Sequence, residues 1–401
     1  MKKINKNIFV FIASFAFILL GFFSLGYIKS IYYNMLVPNE DGSSKIKNIV
    51  EFKVSIEKIS TEQLSYHGWC LDINSIFNNL LNKKIIEKDD QTVVKMDNGY
   101  LAEEVTKISD KELKQYAENV AKLDDSTDAP FLYVMAPKKG NFENMPENAD
   151  NYLKDNCDKF IDYLSELNVN TLDLRDKMYE QGITEEEAFF VTDHHWKPTT
   201  GFWTFNEICK KLNSDYGFNY NHKVTDISNY TINTYDNCFL GSYGKKVGRF
   251  FTNKGMDDFD LIVPDFETNL KVTNEKNGKL EVTEGDFENS VLCTEYLEYK
   301  DCYDQWMYAT YSGGDFSLQI VENKIESQYN KKVLILRDSF ACTVTPFLSL
   351  TTGSLHIVDL RESVTNSERI PSVSKYIDEI QPDYVIVMYS GIRSAESYAF
   401  N

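Results

Sequence analysis

The 401-residue sequence is short of basic side chains: it has 42 lysines and arginines against 61 aspartates and glutamates, and its formal net charge at pH 7 is -19. An acidic surface repels the phosphates of nucleic acids and the headgroups of anionic lipids. A nucleic-acid function is therefore disfavoured. Most of the excess negative charge is interpreted simply as an aid to solubility.

Cysteine and histidine are also scarce, and they are not arranged as metal ligands. The seven cysteines include no C-x-x-C pair, and there are five histidines. Structural zinc sites need closely spaced Cys or His ligands, which this sequence does not offer. We therefore predict no metal and no cofactor. The odd number of cysteines leaves at least one thiol unpaired in a monomer, and no disulfide connectivity follows from the spacing.

Charge is missing altogether from one long stretch, residues 7–28. As a helix, residues 8–28 would span roughly 32 Å, enough to cross the hydrocarbon core of a bilayer. The stretch is longer than the apolar part of a signal peptide and lacks a good cleavage site. Lys2, Lys3 and Lys6 keep the N-terminus inside by the positive-inside rule. We therefore predict an uncleaved single-pass anchor at residues 1–30, with the rest of the chain outside the cytoplasm.

Beyond the anchor, the sequence pattern indicates a stalk and lead-in at residues 31–90 and one large α/β domain at residues 91–401. Apolar runs typical of buried strands alternate with helical segments, which predicts right-handed βαβ units and a parallel sheet flanked by helices. Residues 216–325 change to short aromatic and β-branched runs and predict a β-rich insertion covering one end of the α/β core. The predicted elements are a hairpin at 92–103, strands at 131–135, 169–174, 332–337, 355–359 and 384–389, and helices at 110–123, 149–167, 198–212, 340–350 and 370–380.

The segment Asp193-His194-His195-Trp196 places two of the five histidines beside an aspartate. In an extended segment side chains alternate, so Asp193 and His195 would share a face. Asp193 could then hold Nδ1–H of His195 and leave Nε2 as a general base. His194 is expected to face away and to tolerate substitution. On this motif alone, the alternative that both histidines are ordinary loop or core residues stays open.

Ser339 follows the apolar run at residues 333–336 and stands where a helix is predicted to begin. In open α/β sheets, ligands bind outside the carboxyl ends of the strands, and helix N-terminal amides can stabilise an oxyanion. Ser339 is therefore the candidate nucleophile, although Asp338-Ser339 could equally be a helix cap. Ser242 and Ser390 are rivals, and neither lies in the Gly-x-Ser-x-Gly pattern of α/β-hydrolases.

Four motifs occur in this order: Thr-Asp-His-His-Trp at 192–196, Phe-Leu-Gly-Ser-Tyr-Gly at 239–244, Leu-Arg-Asp-Ser-Phe at 336–340 and Pro-Asp-Tyr-Val-Ile-Val at 382–387. Together they resemble the DHHW family, which is similar to the SGNH-hydrolase-like O-acetyltransferases of alginate biosynthesis. The likeness spans about residues 90–390 and implies an SGNH-hydrolase-like α/β fold. It also implies a triad in which the acid and base precede the serine. Carried over by motif position, Asp193 is the orienting acid, His195 the base and Ser339 the nucleophile.

The sequence departs from ordinary SGNH enzymes in two places. The Gly and Asn of the usual oxyanion hole have no assignable motif, and Gly241 and Gly244 are the candidates for that role. Arg337 replaces the glycine of a Gly-Asp-Ser motif. Contact with an anionic or polar substrate group and a structural pair with Asp338 are both open for Arg337, and the pair is favoured.

The resemblance implies an extracytoplasmic O-acyltransferase that transfers acetyl groups to hydroxyls of a cell-surface polysaccharide. Because acetyl-CoA is cytoplasmic, it also implies a membrane-bound O-acyltransferase partner that supplies the acetyl group. Two alternatives stay open: a glycan O-acetyl esterase with the same triad, and a non-catalytic glycan-binding or assembly protein. The sequence does not specify the polymer.

Overall fold

The computed structural model describes residues 36–38, 44–46, 67–88, 91–140, 144–276, 279–298, 300–325, 330–361 and 372–400. The chain divides into two compact units, Met1–Asn74 and Ser75–Asn401. The predicted anchor at residues 1–30 lies outside the described residues. Among the helices within those ranges, none is both long and apolar enough to cross a bilayer.

Two small antiparallel sheets precede the main one in the chain. In the first unit, β1 (Leu36–Pro38) pairs with β2 (Ser44–Ile46). The helix His67–Leu80 begins in this unit and ends in the second. The next three strands form a sheet of their own, in which the last two make the hairpin predicted at residues 92–103. They are β3 (Ile85–Lys88), β4 (Gln91–Lys95) and β5 (Leu101–Glu103).

An eight-stranded sheet forms the centre of the second unit, in the order β11 (Lys279–Gly285), β10 (Leu270–Lys276), β12 (Leu318–Asn323), β14 (Ser354–Val358), β13 (Lys332–Arg337), β15 (Tyr384–Ser390), β6 (Phe131–Ala136) and β7 (Thr171–Asp173). The five strands from β14 to β7 are parallel. The other three pair antiparallel.

The central sheet is therefore mixed: the predicted parallel sheet is present in the five strands from β14 to β7, and three antiparallel strands extend it. All three antiparallel strands come from the predicted insertion, which extends the sheet beyond β14 in addition to covering part of the core. An edge strand presents unpaired N–H and C=O groups, and pairing with β12 satisfies those of β14. The insertion also contains the paired strands β8 (Tyr230–Phe239) and β9 (Asp257–Pro264), whose buried apolar side chains join the core.

Both faces of the parallel strands β6, β13 and β15 are buried, which explains their continuous apolar runs. Along β13, Val333 and Ile335 pack into one hydrophobic cluster, and Leu334 and Leu336 pack into another. The helix Pro198–Tyr216 contributes to the first cluster. The helices Asp110–Asp125, Leu153–Glu166 and Val373–Ile380 contribute to the second.

Two helical segments that pack into the first hydrophobic cluster differ from their predicted bounds, and each difference has a local cause. The helix Pro198–Tyr216 is longer than predicted and ends at Gly217, whose φ of 67° suits glycine. The helix predicted at residues 340–350 is instead a 3-10 turn, Ser339–Thr343, followed by the short helix Thr345–Ser349. Pro346 lacks an N–H and restricts the residue before it, which favours a break at this point.

The helix Pro198–Tyr216 approaches the 3-10 turn closely at Gly201. A Cβ atom on Gly201 would lie 2.2 Å from Oγ1 and 2.7 Å from the backbone oxygen of Thr343. Glycine at this point therefore lets the segment that carries His195 approach the turn that begins with Ser339.

Replacing Gly201 by alanine tests this contact. Alanine favours a helix over glycine by about 1 kcal/mol, so an uncrowded position would gain stability. We expect Gly201→Ala to lower the thermal unfolding midpoint instead, because the Thr343 backbone must move to make room. The exposed Ser214→Ala on the same helix is the control and should change the midpoint far less. A higher midpoint for Gly201→Ala would contradict the packing.

Candidate active site

The Asp-His-His-Trp segment lies in a closed loop and not in a strand. The loop joins the helices Glu185–Ala188 and Pro198–Tyr216, and an antiparallel bridge between Phe189 and Trp196 closes it. Residues 191–195 form successive bends. The alternation of side chains along an extended strand therefore does not apply to the two histidines.

Two buried charged side chains fix the backbone of this loop. The carboxylate of Asp257 accepts hydrogen bonds from the amides of Val191 (2.5 Å) and Thr192 (2.8 Å) and from the Thr192 hydroxyl (2.6 Å). The ammonium of Lys139 donates to the carbonyl oxygens of Val191 (3.2 Å) and Asp193 (2.6 Å). Burial raises the pKa of Asp257 and lowers the pKa of Lys139 to about 8. Sequence reasoning missed both residues, although Lys139 follows β6 at the ligand-binding edge of the sheet.

Two hydrogen bonds join Asp193, His195 and Ser339. Oδ1 of Asp193 lies 2.6 Å from Nδ1 of His195, and Nε2 of His195 lies 2.8 Å from Oγ of Ser339. Asp193 and His195 are buried, whereas Ser339 is partly exposed. With Nδ1–H bound to the carboxylate, Nε2 presents its lone pair to the serine hydroxyl. The three side chains are therefore arranged for proton transfer from Ser339, and their catalytic roles stay a prediction.

Asp193 is ionised although it is buried. Burial raises its pKa, but the two imidazoles, the bond from His195 and the amide of Ser242 lower it, and the resulting pKa is well below the ordinary value. The Ser242 amide donates to Oδ2 at 2.5 Å, and the His195 amide donates to Oδ1 at 2.9 Å. A carboxylate held in this way orients the imidazole and stabilises the imidazolium that forms during proton transfer.

Gly241 and Gly244 pack tightly against the loop. A Cβ atom on Gly241 would lie 2.2 Å from Cβ of Asp193, and one on Gly244 would lie 3.0 Å from Cβ of Thr192. The Gly241 amide donates to Oγ1 of Thr192, and the Gly244 amide donates to its carbonyl oxygen, both at 2.9 Å. Because these bonds occupy both amides, the structure assigns the two glycines to packing and not to the predicted oxyanion hole. Their packing brings Ser242 to Asp193.

Aromatic side chains hold the base and the turn that follows Ser339. The rings of His195 and Tyr308 stack with centroids 3.9 Å apart and planes 9° apart. The indole N–H of Trp196 donates to the carbonyl oxygen of Phe340 at 3.1 Å. Trp196 therefore ties the loop of the base to the turn of the nucleophile. Tyr308 comes from the insertion, and no sequence signal distinguished it from the other tyrosines.

His194 does not face away from the site, so this prediction is wrong. Its ring centroid lies 3.6 Å from that of His195, and its Nδ1 lies 2.7 Å from Oγ of Ser242 and 3.5 Å from Oδ1 of Asp193. The bends of the loop turn both imidazoles towards the same side. Burial and the neighbouring His195 lower the pKa of His194 to about 3, so this imidazole is neutral near pH 7.

Arg337 does not pair with Asp338, contrary to the favoured prediction. Its buried guanidinium contacts Asp315 and lies 3.4 Å from Asp359, which directly follows β14. Asp338 instead accepts hydrogen bonds from the amide (2.8 Å) and hydroxyl (2.7 Å) of Ser390. Arg337 is thus structural, with other partners than expected. Ser390, one of the two rival candidates for the nucleophile, therefore donates its hydroxyl hydrogen bond to Asp338.

Asp193, His194 and His195 also form a cluster whose ligand atoms lie within 4.8 Å of one another. Nδ1 of His194 and both ring nitrogens of His195 are already hydrogen-bonded, to Ser242, Asp193 and Ser339. A metal ion bound there would replace the bonds that join the triad. The donor set therefore fits proton transfer better than metal binding.

A comparison with protein-family models matches residues 100–225 to the SGNH hydrolase-like domain of acetyltransferase AlgX. The matched range contains Asp193 and His195 and ends before Ser339. A comparison with curated protein sequences gives no match.

Solved structures share the fold of this chain. The structure of Bacillus cereus PatB1 with a sulfonyl adduct covers 78% of this chain and 100% of its own, with 20% identity and a TM-score of 0.63. A DHHW family protein from Eubacterium siraeum covers 78% of this chain and 96% of its own, with 15% identity and a TM-score of 0.57. The predicted resemblance and the SGNH-like α/β fold are thereby confirmed.

Replacing His194 by alanine tests whether this residue supports the triad. The change removes the ring beside His195 and the partner of the Ser242 hydroxyl. We expect hydrolysis of 4-nitrophenyl acetate at pH 7 to slow about tenfold, which is ~1.4 kcal/mol in the activation barrier. The exposed His222→Ala is the matched control and should keep the unmodified rate. Equal rates for both variants would restore the expectation that His194 is dispensable.

Proposed function

We propose that this protein is an O-acyltransferase that moves acetyl groups to hydroxyls of a cell-surface polysaccharide. The observation that carries the proposal is the continuous hydrogen-bonded line from Asp193 through His195 to Ser339. The match of residues 100–225 to an acetyltransferase domain supports acyl transfer as the chemistry. The polysaccharide, the triad roles and the donor are parts of this proposal.

In the first half-reaction, Oγ of Ser339 attacks the carbonyl carbon of the acetyl donor while its proton passes to Nε2 of His195. The tetrahedral intermediate collapses as His195 returns that proton to the leaving group. The product is an acetyl ester on Ser339. Asp193 stabilises the imidazolium while His195 carries this proton, because its carboxylate is ionised and is held by three hydrogen bonds, from Nδ1–H and the amide of His195 and from the amide of Ser242.

In the second half-reaction, a sugar hydroxyl replaces the leaving group. His195 takes the proton of that hydroxyl as its oxygen attacks the acetyl carbon of the acyl-enzyme. Collapse of the second intermediate returns the proton to Oγ of Ser339 and releases the acetylated sugar. The enzyme is regenerated with no net change in its protons.

The backbone N–H of Ser339 is the proposed oxyanion donor. The neighbouring amides of Phe340 and Ala341 donate to Oδ1 of Asp338 at 3.0 Å and to its carbonyl oxygen at 3.1 Å. The amide of Ser339 itself opens the 3-10 turn and lies beside the attacking oxygen. One such donor typically contributes a factor of about 100 to 1,000 in rate.

Transfer to a sugar rather than to water requires water to be kept from the acyl-enzyme. Tyr308, from the insertion, stacks on the ring of His195, and the ring of His194 lies 3.6 Å from the same ring, centroid to centroid. His195 is in consequence only 7% exposed. These rings support acyl transfer over hydrolysis. Analysis of the reaction products distinguishes a transferase from an esterase with the same triad.

The acetyl donor and the cellular location follow from the same proposal. The uncharged N-terminal segment would anchor the chain with residues 31–401 outside the cytoplasm. Acetyl-CoA is made inside, so a membrane-bound O-acyltransferase would pass the acetyl group across the bilayer. Protein and partner would then meet at the membrane.

The direct test uses the full-length protein in detergent micelles with an activated acetyl ester and glycan oligomers. Mass spectrometry of the glycan measures acetyl transfer, and free acetate is measured separately. We expect Ser339→Ala and His195→Ala each to reduce transfer about 1,000-fold or more, because either change removes the proton-transfer unit. Ser214→Ala, on an exposed helical face, is the control.

Two outcomes would contradict the proposal. Unchanged transfer in Ser339→Ala and His195→Ala would remove these residues from the reaction. Free acetate without any acetylated glycan would make the protein an esterase.

A further inference from the structure

We propose that Trp306 is a stacking platform for a pyranose ring of the acceptor glycan, beside the candidate active site. The inference rests on the proposed function and extends it by naming the acceptor class: a chain of uncharged pyranose sugars. It is carried by the exposure of Trp306, by the anchoring of its loop, and by the connection of that loop to the triad.

Trp306 is 66% exposed, whereas Trp196 is fully buried. A tryptophan carries a large apolar ring whose burial on binding is strongly favourable, and exposed tryptophans are enriched where proteins bind ligands. The ammonium of Lys245 lies 4.4 Å from the centroid of the Trp306 ring. The exposed ring is therefore held by a cation–π contact.

The loop that carries Trp306 is fixed on both sides. On one side, the Lys245 ammonium donates to the carbonyl oxygen of Gln305, which is itself buried. On the other, the amide of Ala309 donates to the carbonyl oxygen of Trp306 at 2.9 Å. A ring that is already in place loses little conformational entropy when a ligand binds, so such a platform favours affinity.

Two contacts connect this loop to the candidate active site. Tyr308 stacks on His195, and Trp306 precedes Tyr308 by two residues, which span at most about 7 Å of chain. Lys245 belongs to the helix Ser242–Val247, whose first residue donates its amide to Asp193. Trp306 is thus joined to the triad by two short routes, through Tyr308 to His195 and through Lys245 and its helix to Asp193.

A pyranose ring presents a face of C–H groups that packs on an aromatic ring, while its hydroxyls stay at the edges. Stacking on Trp306 would hold one sugar of the chain and leave the hydroxyl of the same or a neighbouring sugar free to approach Ser339. A polyol phosphate chain has no such face. The net charge of -19 also opposes the approach of a polyanionic acceptor. Uncharged pyranose chains therefore fit this surface best.

The test measures glycan binding to the full-length protein in detergent micelles, without an acetyl donor. Calorimetric titrations use cellohexaose, chitohexaose and a glycerol phosphate hexamer. We expect Trp306→Ala to weaken binding of at least one pyranose hexamer about tenfold, which is ~1.4 kcal/mol. Trp306→Phe should fall between this variant and the unmodified protein. Trp69→Ala is the matched control, because Trp69 is 71% exposed and should not affect binding.

Saturation-transfer NMR on the unmodified protein gives a second measurement, which does not depend on whether a variant folds. We expect saturation to concentrate on the C–H protons of one pyranose face. Three results would overturn the inference: no binding of either pyranose hexamer, equal affinity of Trp306→Ala and the unmodified protein, or binding of the glycerol phosphate hexamer alone. Because no acyl transfer is involved, failure of the proposed reaction would leave this result unaffected.

Discussion

The site depends on one buried carboxylate that is kept ionised. Asp193 is 4% exposed, and a buried charge is tolerated only when its oxygen atoms are hydrogen-bonded and its charge is compensated. Its donors come from two parts of the chain, the ring and amide of His195 in its own loop and the amide of Ser242 in the insertion. The second part reaches the carboxylate because Gly241 has no side chain to hold it away. The shape of the loop and the position of the insertion both follow from this requirement.

The insertion is therefore part of the candidate active site and not an addition to it. It supplies Ser242 to the acid, stacks Tyr308 on the base and extends the central sheet with β10, β11 and β12. It also presents the exposed ring of Trp306 to solvent. The remaining connection comes from the core, where Trp196 ties the loop to the turn after β13. Three segments that are distant in sequence meet at one proton-transfer path. A substitution at one of these contacts is expected to alter the geometry of the triad.

The parts of the structure that sequence reasoning could predict are those governed by local pattern. Strands such as β13 and β15 are buried on both faces, so each appears as a continuous apolar run, and Ser339 is recognisable because it follows one of them. The predicted orientation of the His194 side chain is wrong because side chains alternate only along extended backbone, and the backbone of this loop is bent. Lys139 and Asp257 escaped notice because a buried charged residue looks in sequence like any surface charge. The three antiparallel strands of the sheet depend on long-range pairing, which no local pattern specifies.

The most direct test of the account is whether Ser339 is a nucleophile activated by His195. Full-length protein treated with phenylmethylsulfonyl fluoride can be digested and mapped by mass spectrometry, with thermal unfolding as the check that each variant is folded. The account predicts one sulfonyl adduct, on Ser339, and its loss in His195→Ala. An adduct on Ser242 instead, or undiminished labelling of Ser339 in folded His195→Ala, would contradict the central claim that these residues form one catalytic unit.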